Sequence, residues 1–149
     1  MSRTVTTHTT QSVAETEAVA AELSRAFVGG EVVALHGDLG AGKTQFVRGL
    51  VRGLGGEPRS VSSPTFVLLN VYDTGRLSVY HLDAYRTHGP DDFDAIGFTE
   101  LLEQGGVVAV EWPERVESLL PATRLWRVRL TPVDEIRRMI EIEPPAAES

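Results

Sequence analysis

The sequence predicts a three-layer α/β/α domain on a mixed, mostly parallel sheet, and three observations indicate this fold class. Two short apolar runs, Val32–Leu35 and Val107–Val110, have the composition of strands buried on both faces of a parallel sheet. Segments with apolar residues at helical spacing lie before and after the first run. Further along, segments that alternate at period 2 predict β-hairpins. At 149 residues, the chain suits a single domain, 1–149.

The first half of the chain is predicted to form a helix, a strand, a loop and a second helix, in that order. Ser12 and Glu15 fit a capping box that begins the first helix. The buried strand Val32–Leu35 follows, and the glycine-rich loop Gly37–Thr44 comes directly after it. A second helix is predicted from about Lys43 to Leu54. This half therefore supplies a parallel strand with helices on either side of it in sequence.

The second half adds two hairpins to this unit. Residues 65–72 and 77–82 flank the turn sequence DTGR and predict the first hairpin. A helix is predicted over about 91–104, before the second buried run. The segments RLWRVRL and RRMIEIE alternate at period 2 and predict a C-terminal β-hairpin. Residues 1–9 and 144–149 are expected to be flexible.

Composition narrows the class of protein. No apolar run approaches the roughly 18 residues that cross a bilayer, and the N-terminus lacks the apolar core of a signal peptide. Cysteine is absent, which excludes disulfides and thiolate chemistry. The net charge of -7, with its acidic excess in the second half, argues against an autonomous nucleic-acid binder. A cytoplasmic protein is expected, with no membrane contact.

The distribution of basic residues singles out one position. The chain has thirteen Arg and a single Lys, which is Lys43. A guanidinium group is a broad planar fork, whereas an ammonium group is a compact point charge. A narrow phosphate-binding loop requires the compact group, and Lys43 stands in such a loop.

Residues Gly37–Thr44, GDLGAGKT, match the phosphate-loop pattern G-x-x-x-x-G-K-[S/T] between a predicted strand and a predicted helix. Backbone amides of such a loop form an anion-binding concavity, to which the helix N-terminus adds positive charge. Lys43 would reach the β- and γ-phosphates of a nucleoside triphosphate, and the Thr44 hydroxyl would bind Mg²⁺. The predicted nucleotide-binding residues are Asp38, Leu39, Gly40, Ala41, Gly42, Lys43, Thr44 and Gln45.

Two carboxylates are candidates for the chemistry beside the loop. Asp83 ends the segment LSVYHLD, and Glu111 ends the apolar run VVAVE. Each would lie at the carboxyl edge of the sheet, where ligands bind in such folds. Two alternatives stay open: Asp83 as a helix N-cap or surface charge, and Glu111 as a first-turn acid before Pro113.

Sequence motifs of other nucleotide-binding protein classes and of metal sites are absent from the chain. The guanine-reading motif N-K-x-D is absent, which disfavours a GTPase, and no Arg-rich lid of a small-molecule kinase is evident. The histidines share no metal-ligand spacing and are interpreted as ordinary surface or core residues; they are His8, His36, His81 and His88. No sequence motif identifies the residues that would contact adenine; the candidates are Gln11, Ser12, Thr16 and Arg137.

Four segments together resemble the TsaE family, also called YjeE, the bacterial ATPase of tRNA threonylcarbamoyladenosine modification. They are GDLGAGKT, SPTF (Ser63–Phe66), YHLDAYR (Tyr80–Arg86) and EWPER (Glu111–Arg115). The phosphate loop alone is widely shared, whereas the combination in this order and spacing is specific. The resemblance extends from about Thr10 to Glu143.

The resemblance implies roles for individual residues. Lys43 and the backbone of Gly40–Thr44 would hold the phosphates, while Thr44 and Glu111 would hold Mg²⁺. Asp83 would act on the metal through water or on the attacking water. These residues, with Thr65, form the predicted catalytic set.

A second group of residues corresponds to the family's switch-like loop and its neighbour. Ser63, Pro64, Thr65 and Phe66 fall in that loop, and Thr65 is the residue best placed to sense the γ-phosphate. Trp112 corresponds to the family's Trp beside the metal-binding Glu, although packing is an equally good interpretation. These five residues are the predicted switch and partner residues.

The resemblance thus implies an Mg²⁺-dependent ATPase that supports tRNA modification together with the TsaD and TsaB proteins, and that contacts tRNA only indirectly. Hydrolysis by the isolated protein is expected to be slow, because no arginine finger is identifiable. Two alternatives remain: a small-molecule kinase of the same fold, and a nucleotide-binding regulatory switch without useful catalysis.

Overall fold

In the computed structural model, which describes residues 4–38, 41–62, 69–85 and 90–146, seven strands form one sheet. The strands are β1 Thr6–Thr10, β2 Val32–His36, β3 Leu69–Tyr72, β4 Val79–Asp83, β5 Val107–Glu111, β6 Leu125–Pro132 and β7 Arg138–Glu143. Their order across the sheet is β1-β7-β6-β2-β5-β4-β3. The four central strands, β6, β2, β5 and β4, run parallel, and the outer pairs are antiparallel. The mixed sheet and the C-terminal hairpin β6–β7 are therefore confirmed.

Helices cover both faces of this sheet. They are α1 Val13–Arg25, α2 Lys43–Gly53, α3 Pro90–Ala95 and α4 Phe98–Leu102. One core packs α1 and α2 against the sheet, and a second core packs α3, α4 and the 3₁₀ segment Pro113–Leu119 against the other face. No helix in the described ranges is long and apolar enough to span a bilayer. The two separate cores give the predicted three-layer architecture.

Alternation along the central strands decides which side chains face α2. Val79 on β4 and Val107 and Ala109 on β5 belong to the core beneath α1 and α2. Because side chains alternate at period 2, the residues that end these strands, Asp83 and Glu111, lie on the α2 side as well. The side chains of Asp83 and Glu111 therefore lie at the carboxyl edge of the sheet, on the face that α2 covers.

Small residues fix how closely α2 approaches α1. A Cβ atom at Gly49 would lie 2.6 Å from the Ala20 Cβ atom and would overlap the Glu17 carbonyl oxygen. A Cβ atom at Gly53, one turn further on, would overlap the backbone at Ala21. Glycine at these positions therefore lets the two helices pack in backbone contact, which fixes α2 over the sheet.

Two predicted elements differ from the structure. Residues 1–9 were expected to be flexible, whereas Thr6–Thr10 form an edge strand that pairs antiparallel with β7. β-Branched residues suit a strand, but an all-polar run carries no apolar alternation. The predicted helix 91–104 is two helices, since Gly97 at φ +92° ends α3 and serves as the N-cap of α4.

Replacing Gly49 by Ala should lower the free energy of unfolding by about 1–2 kcal/mol. Overpacking costs about 1–3 kcal/mol, and the higher helix propensity of Ala returns at most about 1 kcal/mol. Urea unfolding followed by circular dichroism measures the change. Gly75→Ala is the control, because a Cβ atom there has no neighbour closer than 3.8 Å. Equal stability of the Gly49→Ala variant and the wild type would refute the close-contact interpretation.

Candidate functional site

Lys43, the first residue of α2, brings an ammonium group to the carboxyl edge of the sheet. Its Nζ atom lies 3.6 Å from Oε1 of Glu111 and 4.2 Å from the centroid of the Trp112 ring. The side chain is only 5% exposed, and Nζ has no hydrogen-bond partner among the described residues. An ammonium group carries three donors, so a buried Lys43 has hydrogen-bonding capacity left for an anion.

The start of α2 presents further donors. Gly42 is the N-cap at φ +105°, and no described side chain caps this end of the helix. The Asp38 carbonyl accepts a hydrogen bond from the Ala41 amide at 3.0 Å, which turns the loop toward the helix. Thr44 and Gln45 are half-buried in the first turn. The unpaired amides of a helix N-terminus, together with its positive dipole end, favour a negatively charged ligand.

The two predicted acids lie side by side. Asp83 pairs with Glu111 in the parallel register of β4 and β5, and both are buried, at 8% and 4% exposure. Asp83 accepts a hydrogen bond from the Tyr85 amide at 2.8 Å. Its burial argues against a surface charge, and the burial of Glu111 argues against a solvent-facing first-turn acid.

The two carboxylates have opposite electrostatic surroundings. Burial raises the pKa of Asp83, and the negative charge of Glu111 adds to this rise against the opposing Tyr85 hydrogen bond. Burial would also raise the pKa of Glu111, but the hydrogen bond with His81 and the positive charge of Lys43 outweigh it, so this pKa is lowered. Glu111 is thus the carboxylate that the folded protein keeps ionised, and Asp83 is the one that it holds closer to protonation.

Trp112 adopts a backbone conformation that is rare for a large side chain. Its φ of 57° is the one positive φ of a non-glycine residue in the described part of the chain. The ring lies over Lys43 and packs against Tyr85, with 5.0 Å between the ring centroids. Trp112 therefore packs against the candidate site, as the packing interpretation expects, and its role as a switch or partner residue stays a prediction.

Two residues beside the candidate site were not singled out in the sequence. His81 was interpreted as an ordinary surface or core histidine; it is a core residue, and its Nε2 atom lies 2.6 Å from Oε2 of Glu111. Tyr72 was not singled out, and its hydroxyl lies 3.1 Å from His81 Nδ1. Strand alternation would have placed His81 on the same face as Asp83, two residues away, but nothing local marks Tyr72.

Several predicted residues lie outside the described ranges. They are Leu39 and Gly40 of the loop and the switch residues Ser63, Pro64, Thr65 and Phe66. Within the described ranges, the structure brings Lys43, Glu111 and Trp112 into contact. Their roles toward a ligand stay predictions.

Cavities adjoin the start of α2. One of about 250 Å³ lies between the α1 N-terminus, Gly42 and the β6–β7 hairpin; Ser12, Thr16, Gln45 and Arg138 are among the residues that line it. A neighbouring one includes Gln11 and Arg137. A larger cavity of about 700 Å³ lies between β1 and α1, and none of the site residues line it. Of the three cavities, the one of about 250 Å³ is the one that touches Gly42.

No cluster of three or more potential metal ligands occurs among the described residues. This does not conflict with a magnesium site, since Mg²⁺ is usually held by one or two carboxylates together with phosphate oxygens and water. Asp83 and Glu111, adjacent on neighbouring strands, fit such a donor set.

Fold and site together define an α/β protein in which a glycine-rich loop joins a buried parallel strand to a helix beside two buried carboxylates. The family model of the threonylcarbamoyl adenosine biosynthesis protein TsaE matches residues 10–140. The chain belongs to this family, whose role lies in the biosynthesis of tRNA threonylcarbamoyladenosine.

Individual relatives agree with this membership. The chain is 38% identical to the TsaE protein of Rickettsia felis over 135 residues, which is 91% of this chain and 78% of the relative. It is 45% identical to that of Bacillus subtilis over 112 residues, covering 74% of this chain and 68% of the relative. The crystal structure of Bacillus subtilis YdiB superposes with a TM-score of 0.75 at 29% identity, covering 98% of this chain and 89% of that one.

Replacing Asp83 by Asn should stabilise the isolated protein at neutral pH. Because the pKa of Asp83 is raised on folding, the native state loses stability as pH rises from the usual aspartate value through the raised one. Asn is neutral throughout and retains an oxygen for the Tyr85 amide. We therefore expect a higher Tm at pH 7 and a difference that shrinks toward pH 4, measured by calorimetry.

Asp73→Asn is the matched control, since Asp73 is exposed and also accepts one hydrogen bond, from the Ser78 hydroxyl. A Tm difference for Asp83→Asn that is absent at pH 7, or equal at both pH values, would contradict the electrostatic assignment.

Proposed function

We propose that this protein binds and hydrolyses ATP with Mg²⁺ and thereby supports threonylcarbamoyladenosine modification of tRNA together with the TsaD and TsaB proteins. The observation that carries the proposal is the buried ammonium group of Lys43, which lacks a hydrogen-bond partner among the described residues. Family membership supports a role in tRNA threonylcarbamoyladenosine biosynthesis. The geometry around Lys43 supports phosphate binding.

The argument for a phosphate ligand begins with the energy of the free site. A buried donor without an acceptor costs about 1–3 kcal/mol, and more when the donor is charged. Glu111 balances the charge of Lys43, but at 3.6 Å it makes no hydrogen bond. A triphosphate would supply acceptors for Nζ and for the amides at the start of α2 together. Binding would therefore satisfy donors, above all the Lys43 ammonium group, that have no partner among the described residues.

Three residues would hold Mg²⁺ beside such a ligand. Thr44 is in the first turn of α2, and the buried carboxylates of Glu111 and Asp83 end neighbouring strands. Bound there, Mg²⁺ would neutralise charge on the phosphate oxygens, which is the main requirement of phosphoryl transfer. Glu111, kept ionised by its surroundings, suits direct coordination, whereas Asp83, with its raised pKa, suits contact with water.

The nucleoside would occupy the cavity beside Gly42. Ser12 and Thr16, which were candidates for adenine contact, line this cavity together with Arg138. Its position next to the N-cap of α2 is adjacent to the proposed phosphate site. Gln45 also lines it and offers an amide for polar contact.

The proposed partners are those that the family resemblance implies, and the charge of the chain is compatible with them. A chain with a net charge of -7 suits docking on proteins and leaves tRNA contact to them. ATP binding and hydrolysis would reset the complex between turnovers. A small-molecule kinase would instead give a phosphorylated metabolite, with little hydrolysis in the absence of its acceptor.

Lys43→Ala should weaken ATP binding roughly 100-fold, because charge-assisted hydrogen bonds to phosphate are worth about 1.5–3 kcal/mol each. Isothermal titration with a non-hydrolysable ATP analogue measures the affinity. Arg52→Ala is the control, since it removes a positive charge from the last turn of the same helix. Binding by Lys43→Ala equal to that by Arg52→Ala would overturn the phosphate assignment.

Multiple-turnover tRNA modification should depend on this protein. Purified TsaD, TsaB, tRNA and the threonylcarbamoyl donor are assayed with and without it, with Lys43→Ala as the matched addition. We expect sustained product formation only with the wild-type chain and ATP. Equal multiple-turnover product in all three mixtures would exclude the proposed role.

A further inference from the structure

A buried chain of hydrogen bonds leads away from Glu111 on the side opposite Lys43. Oε2 of Glu111 meets His81 Nε2 at 2.6 Å, and His81 Nδ1 meets the Tyr72 hydroxyl at 3.1 Å. The Tyr72 hydroxyl donates to the Ser62 carbonyl at 2.9 Å and accepts from the Ser62 amide at 3.3 Å. The carboxylate is thus connected through two side chains to the main chain of Ser62.

The members of this chain are held rigidly. His81 is completely buried, and Tyr72 is 5% exposed within the core beneath α2. The antiparallel register of β3 and β4 pairs Tyr72 with Val79 and Asn70 with His81, which brings the two rings to a centroid distance of 5.9 Å. Backbone pairing therefore fixes the position of the hydroxyl group.

The direction of the hydrogen bond between Tyr72 and His81 depends on the His81 tautomer. The Tyr72 hydroxyl has one hydrogen, and the Ser62 carbonyl can only accept. With a hydrogen on Nδ1, His81 donates to the Tyr72 hydroxyl, and both bonds form together. Without it, Nδ1 and the Ser62 carbonyl compete for the Tyr72 hydrogen. In either tautomer, the Tyr72 hydroxyl joins His81 to the main chain of Ser62.

We propose that Tyr72 is a positioning residue that acts through His81 to hold Glu111 with Oε1 facing Lys43, and that it ties this geometry to the main chain at Ser62. The inference rests on the proposed function, in which Glu111 binds the metal of the bound nucleotide. Groups that orient a metal ligand commonly change metal affinity 10- to 100-fold when they are removed. Tyr72 is separated from Glu111 by two hydrogen bonds and would act on the metal through His81 and Glu111, without touching it.

Tyr72→Phe tests this inference, because it deletes the hydroxyl and retains the ring. We expect about a tenfold rise in the Mg²⁺ concentration that half-saturates the ATP-bound protein, by analogy with other residues that orient metal ligands. ATP affinity measured without Mg²⁺ should be unchanged, since Lys43 and the amides of α2 lie outside the chain of hydrogen bonds. The Ser62 amide should exchange faster with deuterium, because it loses its acceptor.

Tyr80→Phe is the matched control. Tyr80 neighbours His81 on β4, but it packs against the core on the opposite face of the sheet. This variant should leave both the Mg²⁺ dependence and the exchange of the Ser62 amide as in the wild type. Any general loss of stability from removing a tyrosine hydroxyl is measured by the Tm of both variants.

The results of these measurements distinguish a failure of the positioning role of Tyr72 from a failure of the proposed function. Wild-type protein without Mg²⁺-dependent ATP binding would overturn both. If the wild type binds Mg²⁺ and ATP, and Tyr72→Phe matches Tyr80→Phe in Mg²⁺ dependence, the positioning role fails and the proposed function stands. A lowered Tm alone, with unchanged Mg²⁺ dependence, equally refutes the positioning role.

Discussion

The buried ion pair between Lys43 and Glu111 is the interaction on which the rest of the site depends. Removing two charges from water is costly, so such a pair persists only where both groups are held by surrounding structure. Glu111 is held by the parallel pairing of β5 and by His81, while Lys43 is held by α2. The close contact of α1 with Gly49 fixes α2 in turn. The close packing of α1 on α2 therefore positions Lys43, and the order of the central strands positions Glu111.

Trp112 illustrates how local strain is balanced at this edge of the sheet. A left-handed backbone costs a large residue about 1–2 kcal/mol. This cost is offset by the contacts of the indole ring with the Lys43 ammonium group and with Tyr85. A relaxed backbone at Trp112 would point the ring in another direction. The ring also shields the ammonium group from water, and this strengthens the interaction of Lys43 with any anion. Backbone strain, cation–π contact and desolvation thus act together on a single charged group.

The sequence predicted the sheet's centre and its charged edge because both depend on local patterns. Apolar runs marked β2 and β5, and the loop motif marked Lys43. The link from Glu111 to Tyr72 was not predictable in this way, since it depends on the register between β3 and β4 and on the contact of His81 with Glu111, 30 positions further along the chain. β1 was missed because threonines carry no apolar alternation, and the break at Gly97 because one glycine does not always end a helix.

The pairing of β1 with β7 has a consequence for how the chain is made. Among the described strands, β1 (Thr6–Thr10) pairs with β7 (Arg138–Glu143), although the two lie far apart along the chain. β2, which leads into the phosphate loop, likewise waits for β6. During synthesis, β1 and the β6-facing edge of β2 therefore stay unpaired until β7 and β6 have been made, and the described sheet is complete only after β7. The same adjacency brings the two ends of the described chain to one edge of the sheet.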